Sequence, residues 1–286
     1  MKLEDLAKTH VVTVPPEELI DKAIAIMGVH EIHHLPVVSN GSIVGMLSDK
    51  DILISVGGLS SAHRRLPGRR VAGPEKVADI MSKPVHTLSA SDSVHLAARL
   101  MIRERIHAIP LLLGGTLVGI VTVIDLLDGI LSSTELTTTK HPLFEKPIRS
   151  FFADQLITAG PSTPVDELVD MMVHRHIRHL PIAVERELLG IISDRDVRAA
   201  LGRAAVRDQQ AQASGKLFLG SWLAMEIMHT DVKTIDSDAS FGQVVDELMR
   251  NRIHCLPVLE AGKLVAIITD TDILRLIGDW DMILNE

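Results

Sequence analysis

Four times along this chain a hydroxyl side chain precedes a carboxylate by three residues: Ser48 and Asp51, Thr122 and Asp125, Ser193 and Asp196, Thr269 and Asp272. Each pair follows a short apolar run, such as Ile191-Ile192, and stands where a helix is expected to begin. The pair brings together a rotatable hydroxyl, two carboxylate oxygens and the unpaired N–H groups of a helix N-terminus, which attract anions. The same residues can also serve only their own helix, the carboxylate accepting a backbone hydrogen bond as in a capping box. Taken singly, the pairs leave both readings open.

The elements that must position these residues recur in one register. A proline lies fifteen residues before each carboxylate (Pro36, Pro110, Pro181, Pro257), and a threonine a further twenty-three before that (Thr13, Thr87, Thr158, Thr234). The chain therefore holds four copies of one unit, over residues 1–57, 77–131, 148–202 and 223–278. In the first, Val11 to Val14 reads as a strand and Pro15-Pro16-Glu17-Glu18 as the start of a helix. Leu19, Ala23, Ile26 and Met27 give that helix an apolar face. Leu35 to Val38 and Ile43 to Leu47 are strands joined by the hairpin turn Asn40-Gly41, and a second helix follows Ser48. The predicted fold class is α/β (α+β), built of four strand-helix-strand-strand-helix units. The third hairpin, Glu185-Arg186-Glu187, lacks glycine, and Ala266 replaces the glycine found at Gly45, Gly119 and Gly190. Gly202 counts against one unbroken helix after Asp196.

A unit this small has a thin core and must share it, so paired copies are expected. The threonine-rich stretch from Ser132 to Pro147 is the best boundary, grouping copies 1 with 2 and 3 with 4. With two Trp, five Phe and no Tyr, the cores must be aliphatic. The net charge of -8 argues against a general polyanion binder. Cys255 is the only cysteine; it reads as a buried thiol and excludes an intrachain disulfide or a multi-cysteine metal site. The N-terminus has no signal-peptide core, and the uncharged stretch Ala108 to Ile124 reads as two strands and a turn rather than a membrane span. A soluble, cytoplasmic protein is expected.

The four Thr…Pro…Ser/Thr-x-x-Asp sets, the lead-ins Asp79-Ile80-Met81 and Glu226-Ile227-Met228, and the Leu-Pro-Val and Gly-Ile-Val-Thr runs closely resemble the cystathionine β-synthase (CBS) domain. In that family, tandem copies pair about a pseudo-twofold axis into a Bateman module, whose clefts receive adenosine-containing ligands such as AMP, ADP, ATP or S-adenosylmethionine. The resemblance puts Asp51, Asp125, Asp196 and Asp272 on ribose hydroxyls, because a carboxylate offers two acceptor oxygens to a vicinal diol. It puts Ser48, Thr122, Ser193 and Thr269 toward phosphate, Thr13, Thr87, Thr158 and Thr234 in the nucleoside pocket, and Leu35, Ile109, Leu180 and Leu256 beside the adenine. Arg178, His179, Arg195 and His254 make the second half of the chain the richer in phosphate partners. Whether Mg2+ accompanies the phosphates is left open.

The clusters His30, His33, His34 and His174, His176, His179 read as interface or phosphate contacts rather than a metal site. Arg64, Arg65, Arg69 and Arg70 lie in a Gly- and Pro-rich loop that is either a solvated connection or an approach to an anion. The repeats leave no unrepeated domain for an active site, so no catalytic residue is assigned. The resemblance implies a non-catalytic adenine-nucleotide sensor or regulator, acting on a separate protein target and assembling as a homodimer. A constitutive adaptor with empty clefts is the alternative. A nucleic-acid-binding accessory is disfavoured by the net acidity and the lack of stacking aromatics.

Overall fold

A computed structural model describes residues 1–55, 76–132, 142–152, 156–207 and 222–284. The Arg64–Arg70 loop and the middle of the Ser132–Pro147 boundary fall outside these. Repeat 1 comprises α1 (Ile20–Val29), β1 (His34–Ser39), β2 (Ser42–Ser48) and α2 (49–55). Repeat 2 follows as α3 (Val77–Ile80), β3 (Leu88–Ser89), α4 (Val94–Glu104), β4 (Ala108–Leu113), β5 (Thr116–Thr122) and α5 (Val123–Ser132). Then come α6 (Pro142–Glu145) and repeat 3, with α7 (Val165–Arg175), β6 (His179–Val184), β7 (Glu187–Ser193) and α8 (Asp194–Arg207). Repeat 4 has α9 (Ala224–Ile227), β8 (Ile235–Asp236), α10 (Phe241–Asn251), β9 (Cys255–Glu260), β10 (Lys263–Thr269) and α11 (Asp270–Leu284). Gly202 does not break α8.

Each repeat keeps the expected hairpin, all four with the same antiparallel register and a bulge at the same place. Four two-residue turns close them. Asn40-Gly41, Gly114-Gly115 and Ala261-Gly262 put glycine at the second positive-φ position, whereas Arg186 occupies it without glycine at φ 67°. The strand before each first helix is shorter than the sequence pattern predicts. It is two residues long in repeats 2 and 4, and a single parallel bridge in repeats 1 and 3, Val14 to Val37 and Ala159 to Ile182.

The helix expected after Pro15-Pro16 begins only at Ile20, for a tertiary reason. The carbonyls of Pro16 and Glu18 accept hydrogen bonds from Ala78 and Val77, which lead into repeat 2. Pro161 and Thr163 do the same for Met225 and Ala224, which lead into repeat 4. Lead-in segments are thus exchanged. That of repeat 1 (3-10 turn Leu3–Asp5) bonds Ala90 and Asp92 in repeat 2, and that of repeat 3 (Ile148–Ser150) bonds Ser237 and Ala239 in repeat 4.

The chain divides into two compact units. Unit 1 comprises Met1–Val11, His86–Leu156 and Lys233–Glu286; unit 2 comprises Val12–Val85 and Ile157–Val232. Every cut falls two residues before one of the repeat threonines, which is where each lead-in ends. Unit 1 has an aliphatic core drawn from repeats 2 and 4, including Ile109, Leu126, Leu127, Leu256, Ile273 and Leu274, with Phe241 as its largest buried side chain. Unit 2 has a core drawn from repeats 1 and 3, including Met27, Leu35, Leu168, Leu180 and Val197. Shared cores therefore join repeats 1 with 3 and 2 with 4, while exchanged lead-ins link 1 with 2 and 3 with 4.

Candidate functional site

The four hydroxyl–carboxylate pairs form identical local structures. In each, the hydroxyl residue ends a strand and the carboxylate lies in the first turn of the next helix. Oδ2 of Asp51 accepts the N–H of Ser48 at 2.8 Å and its hydroxyl at 2.5 Å. Asp125, Asp196 and Asp272 accept the same two bonds from Thr122, Ser193 and Thr269 at 2.6–3.0 Å. One oxygen of every carboxylate thus holds its own strand–helix junction, and the capping reading holds for that oxygen.

The other oxygen points elsewhere. Oδ1 of Asp51 accepts the hydroxyl of Ser82 at 2.6 Å, Oδ1 of Asp196 lies 2.7 Å from Nε2 of His229, and Oδ1 of Asp125 lies 3.4 Å from Nζ of Lys8. These three partners belong to lead-in segments. Each stands five residues before a repeat threonine, and each exchanges two backbone hydrogen bonds with the residue two before the hydroxyl: Ser82 with Met46, His229 with Ile191, Lys8 with Ile120. Glycine makes this approach possible. A Cβ at Gly190 would lie 2.7 Å from the carbonyl oxygen of His229, and one at Gly45 2.2 Å from Sδ of Met81. Oδ1 of Asp272 has Arg275 at 3.7 Å, and the position matching Lys8, Ser82 and His229 is Ala153, outside the described residues. Sequence reasoning missed Lys8, Ser82 and His229. Their fixed spacing from the threonines was the available signal, but three different side-chain types hid it.

Beside these carboxylates lies a second repeated pattern. Asp49, Asp194 and Asp270, each immediately after the hydroxyl residue, are buried and face the residue sixteen earlier. His33 Nδ1 lies 2.9 Å from Asp49, Arg178 Nε donates to Asp194 at 2.7 Å, and His254 Nδ1 lies 2.6 Å from Asp270. Repeat 2 has Val123 at this position. In unit 2, Arg198 Nε also lies 2.7 Å from Oδ1 of Asp49, both side chains being buried. The approach is off the hydrogen-bonding direction, so it is an ionic contact only. Burial alone would raise the Asp194 carboxyl, but Arg178, with His179 and Arg195, overrides it and holds the group at about 2. Burial lowers His33, against the pull of Asp49 and with help from Arg195 and Arg198.

Arg178, His179, Arg195 and His254 are all part-buried at the helix starts or the strand ends facing them. Thr13 and Thr234 are exposed, while Thr87 and Thr158 are half-buried. Leu35, Ile109, Leu180 and Leu256 are fully buried in the two cores and present no open surface. Cys255, expected to be buried, is partly exposed at the start of β9. Among the described residues no group of three or more His, Cys, Asp or Glu could hold a metal ion, and no helix is long and apolar enough to cross a membrane.

Lead-ins, hairpins and repeated carboxylates define a tandem CBS protein. The CBS domain family matches residues 3–58, 77–132, 148–203 and 224–279, and the chain belongs to that family as four repeats paired into two modules. It is similar to the uncharacterized protein MJ1225 of Methanocaldococcus jannaschii, 25% identical over 275 residues, covering 93% of this chain and 94% of that one. The crystal structure of MJ1225 superposes with a TM-score of 0.82 at 24% identity, over 97% of this chain and 100% of that one. An uncharacterized conserved protein from Pyrococcus horikoshii shares the fold at 19% identity and a TM-score of 0.58, over 97% and 100% of the two chains. The CBS domain pair of protein MJ0100, solved with 5′-methylthioadenosine and S-adenosyl-L-methionine, is 27% identical over 47% of this chain and 98% of its own, with a TM-score of 0.38. CBS domains are typically regulatory modules rather than catalytic ones.

Proposed function

We propose that this protein is a non-catalytic sensor of an adenosine derivative, with AMP, ADP, ATP and S-adenosylmethionine as the ligand class, and that it acts on a separate protein target. The observation that carries the reading is the divided use of Asp51, Asp125 and Asp196. Oδ2 holds the strand–helix junction while Oδ1 leaves its own helix and takes donors from a different segment. A carboxylate that merely capped its helix would have no reason to do so three times in one register. Ribose hydroxyls are donors of the same kind, and Oδ1 is the oxygen that can receive them.

The site of repeat 3 also has the cationic surroundings a phosphate needs. Arg178, His179 and Arg195 all act on Asp194, and His33 and His254 stand at the positions matched to Arg178 in repeats 1 and 4. His107 takes that place in repeat 2. Pairing of repeats 1 with 2 and 3 with 4, and a homodimer of chains, complete the reading. Native mass spectrometry of small molecules carried by the purified protein tests it. An adenosine derivative at a fixed stoichiometry is the expected result. No retained ligand, together with no thermal shift on adding AMP, ADP, ATP or S-adenosylmethionine, would leave the empty-cleft adaptor as the better account.

A further inference from the structure

We propose that Lys8, Ser82 and His229 are affinity-determining residues: each holds the one carboxylate oxygen available to ribose, and together they rank the sites. The inference rests on the nucleoside reading above. Oδ2 of each carboxylate already accepts an N–H and an O–H, which fills its two lone-pair directions. Only Oδ1 has capacity left, and a lead-in donor occupies one of its two directions. A vicinal diol offers two O–H donors. It can use both on Oδ1 only after the lead-in side chain has let go.

The three donors compete unequally. Ser82 makes a short bond of 2.6 Å and is held in place by its backbone pairing with Met46. His229 lies 2.7 Å from its carboxylate, within hydrogen-bonding distance. Lys8 lies at 3.4 Å, an exposed ion pair longer than either of these contacts, so it leaves most readily for water. The Asp125 site is therefore the least obstructed of the three. At the position matched to these donors in the lead-in of repeat 3, five residues before Thr158, the sequence has Ala153, which carries no side-chain donor.

The test uses full-length protein in which one ribose carboxylate at a time is retained and the other three are changed Asp→Asn, an amide oxygen still being able to accept the cap. Calorimetric titration with adenosine and with 2′,3′-dideoxyadenosine is then repeated after Ser82→Ala, His229→Ala or Lys8→Ala at the matching site. Adenosine binding is expected to tighten roughly two- to tenfold for Ser82→Ala and His229→Ala, the effect of exchanging one hydrogen bond, and less for Lys8→Ala. Binding of the dideoxy analogue should not change. Equal change for both ligands, no change, or weaker adenosine binding would each overturn the proposal. If neither ligand binds any of the retained sites, or both bind equally before the lead-in changes, it is the nucleoside reading that fails. Melting curves confirm that each variant is folded.

Discussion

The two compact units solve one packing problem with different chemistry. In unit 2, Asp49 of repeat 1 and Arg198 of repeat 3 meet as a buried ionic contact at 2.7 Å. In unit 1 the matched positions are Val123 of repeat 2 and Leu274 of repeat 4, both buried in one aliphatic core. Position in the repeat does not dictate the chemistry, since the same scaffold accepts either. The difference lies two residues from the carboxylates Asp51 and Asp196. Unit 2 therefore joins its two repeats through a buried Asp49–Arg198 contact, while unit 1 has hydrocarbon at Val123 and Leu274 and keeps only the Asp270–His254 pair. Desolvated charge gives little net stability but punishes the loss of one partner.

The largest effect should come from breaking that contact on one side. Arg198→Leu leaves Asp49 buried with His33 alone, and urea denaturation is expected to show a loss of about 3–5 kcal/mol. Installing the unit 1 pair, Asp49→Val with Arg198→Leu, should restore most of it. A double variant as unstable as the single one would show that the network does more than fill space.

Next in size are the glycines that admit the lead-ins. Gly190→Ala drives a Cβ against the backbone carbonyl of His229 and should cost about 1–3 kcal/mol. Gly45→Ala meets the far end of the flexible Met81 side chain and should cost less. Thermal melts of the two variants compare them directly.

Acid sensitivity should follow the same buried network. His33 lies below its ordinary 6.5 in the folded state, so its contribution is complete above pH 6.5 and is lost as pH falls through its lowered value. Asp194 is depressed from 3.8 to about 2, so its stabilisation is complete above pH 3.8 and disappears as pH falls through about 2. His33→Asn should flatten the stability profile just below pH 6.5 and leave the region below pH 4 unchanged. The smallest change expected is a gain: Arg186→Gly relieves a left-handed residue at φ 67° and should stabilise by about 0.5–1 kcal/mol.

What could be read from the sequence was what is set by local chemistry. The Asn40-Gly41 turn, the hairpins and the hydroxyl–carboxylate junctions follow from residues close in the chain, and they stand where expected. What escaped depends on segments far apart. Nothing near Pro15 announces that Glu18 and Pro16 will hold the backbone of Val77 and Ala78, and so the late start of α1 was not foreseen. Nor does a single repeat show that Leu35 packs with Leu180 in one core while Ile109 packs with Leu256 in the other. The site was half legible. The hydroxyl–carboxylate junctions stand where expected, but both carboxylate oxygens were expected to be open, and Oδ2 is taken by the junction itself.

The central claim is that these carboxylates recognise a ribose. Calorimetric titration of the unmodified protein with adenosine and with 2′,3′-dideoxyadenosine tests it most directly. The account predicts that adenosine binds at least tenfold more tightly, the size of a hydrogen bond to a charged acceptor. Equal affinity for the two, or binding that survives unchanged when Asp51, Asp125, Asp196 and Asp272 are all replaced by Asn, would contradict it.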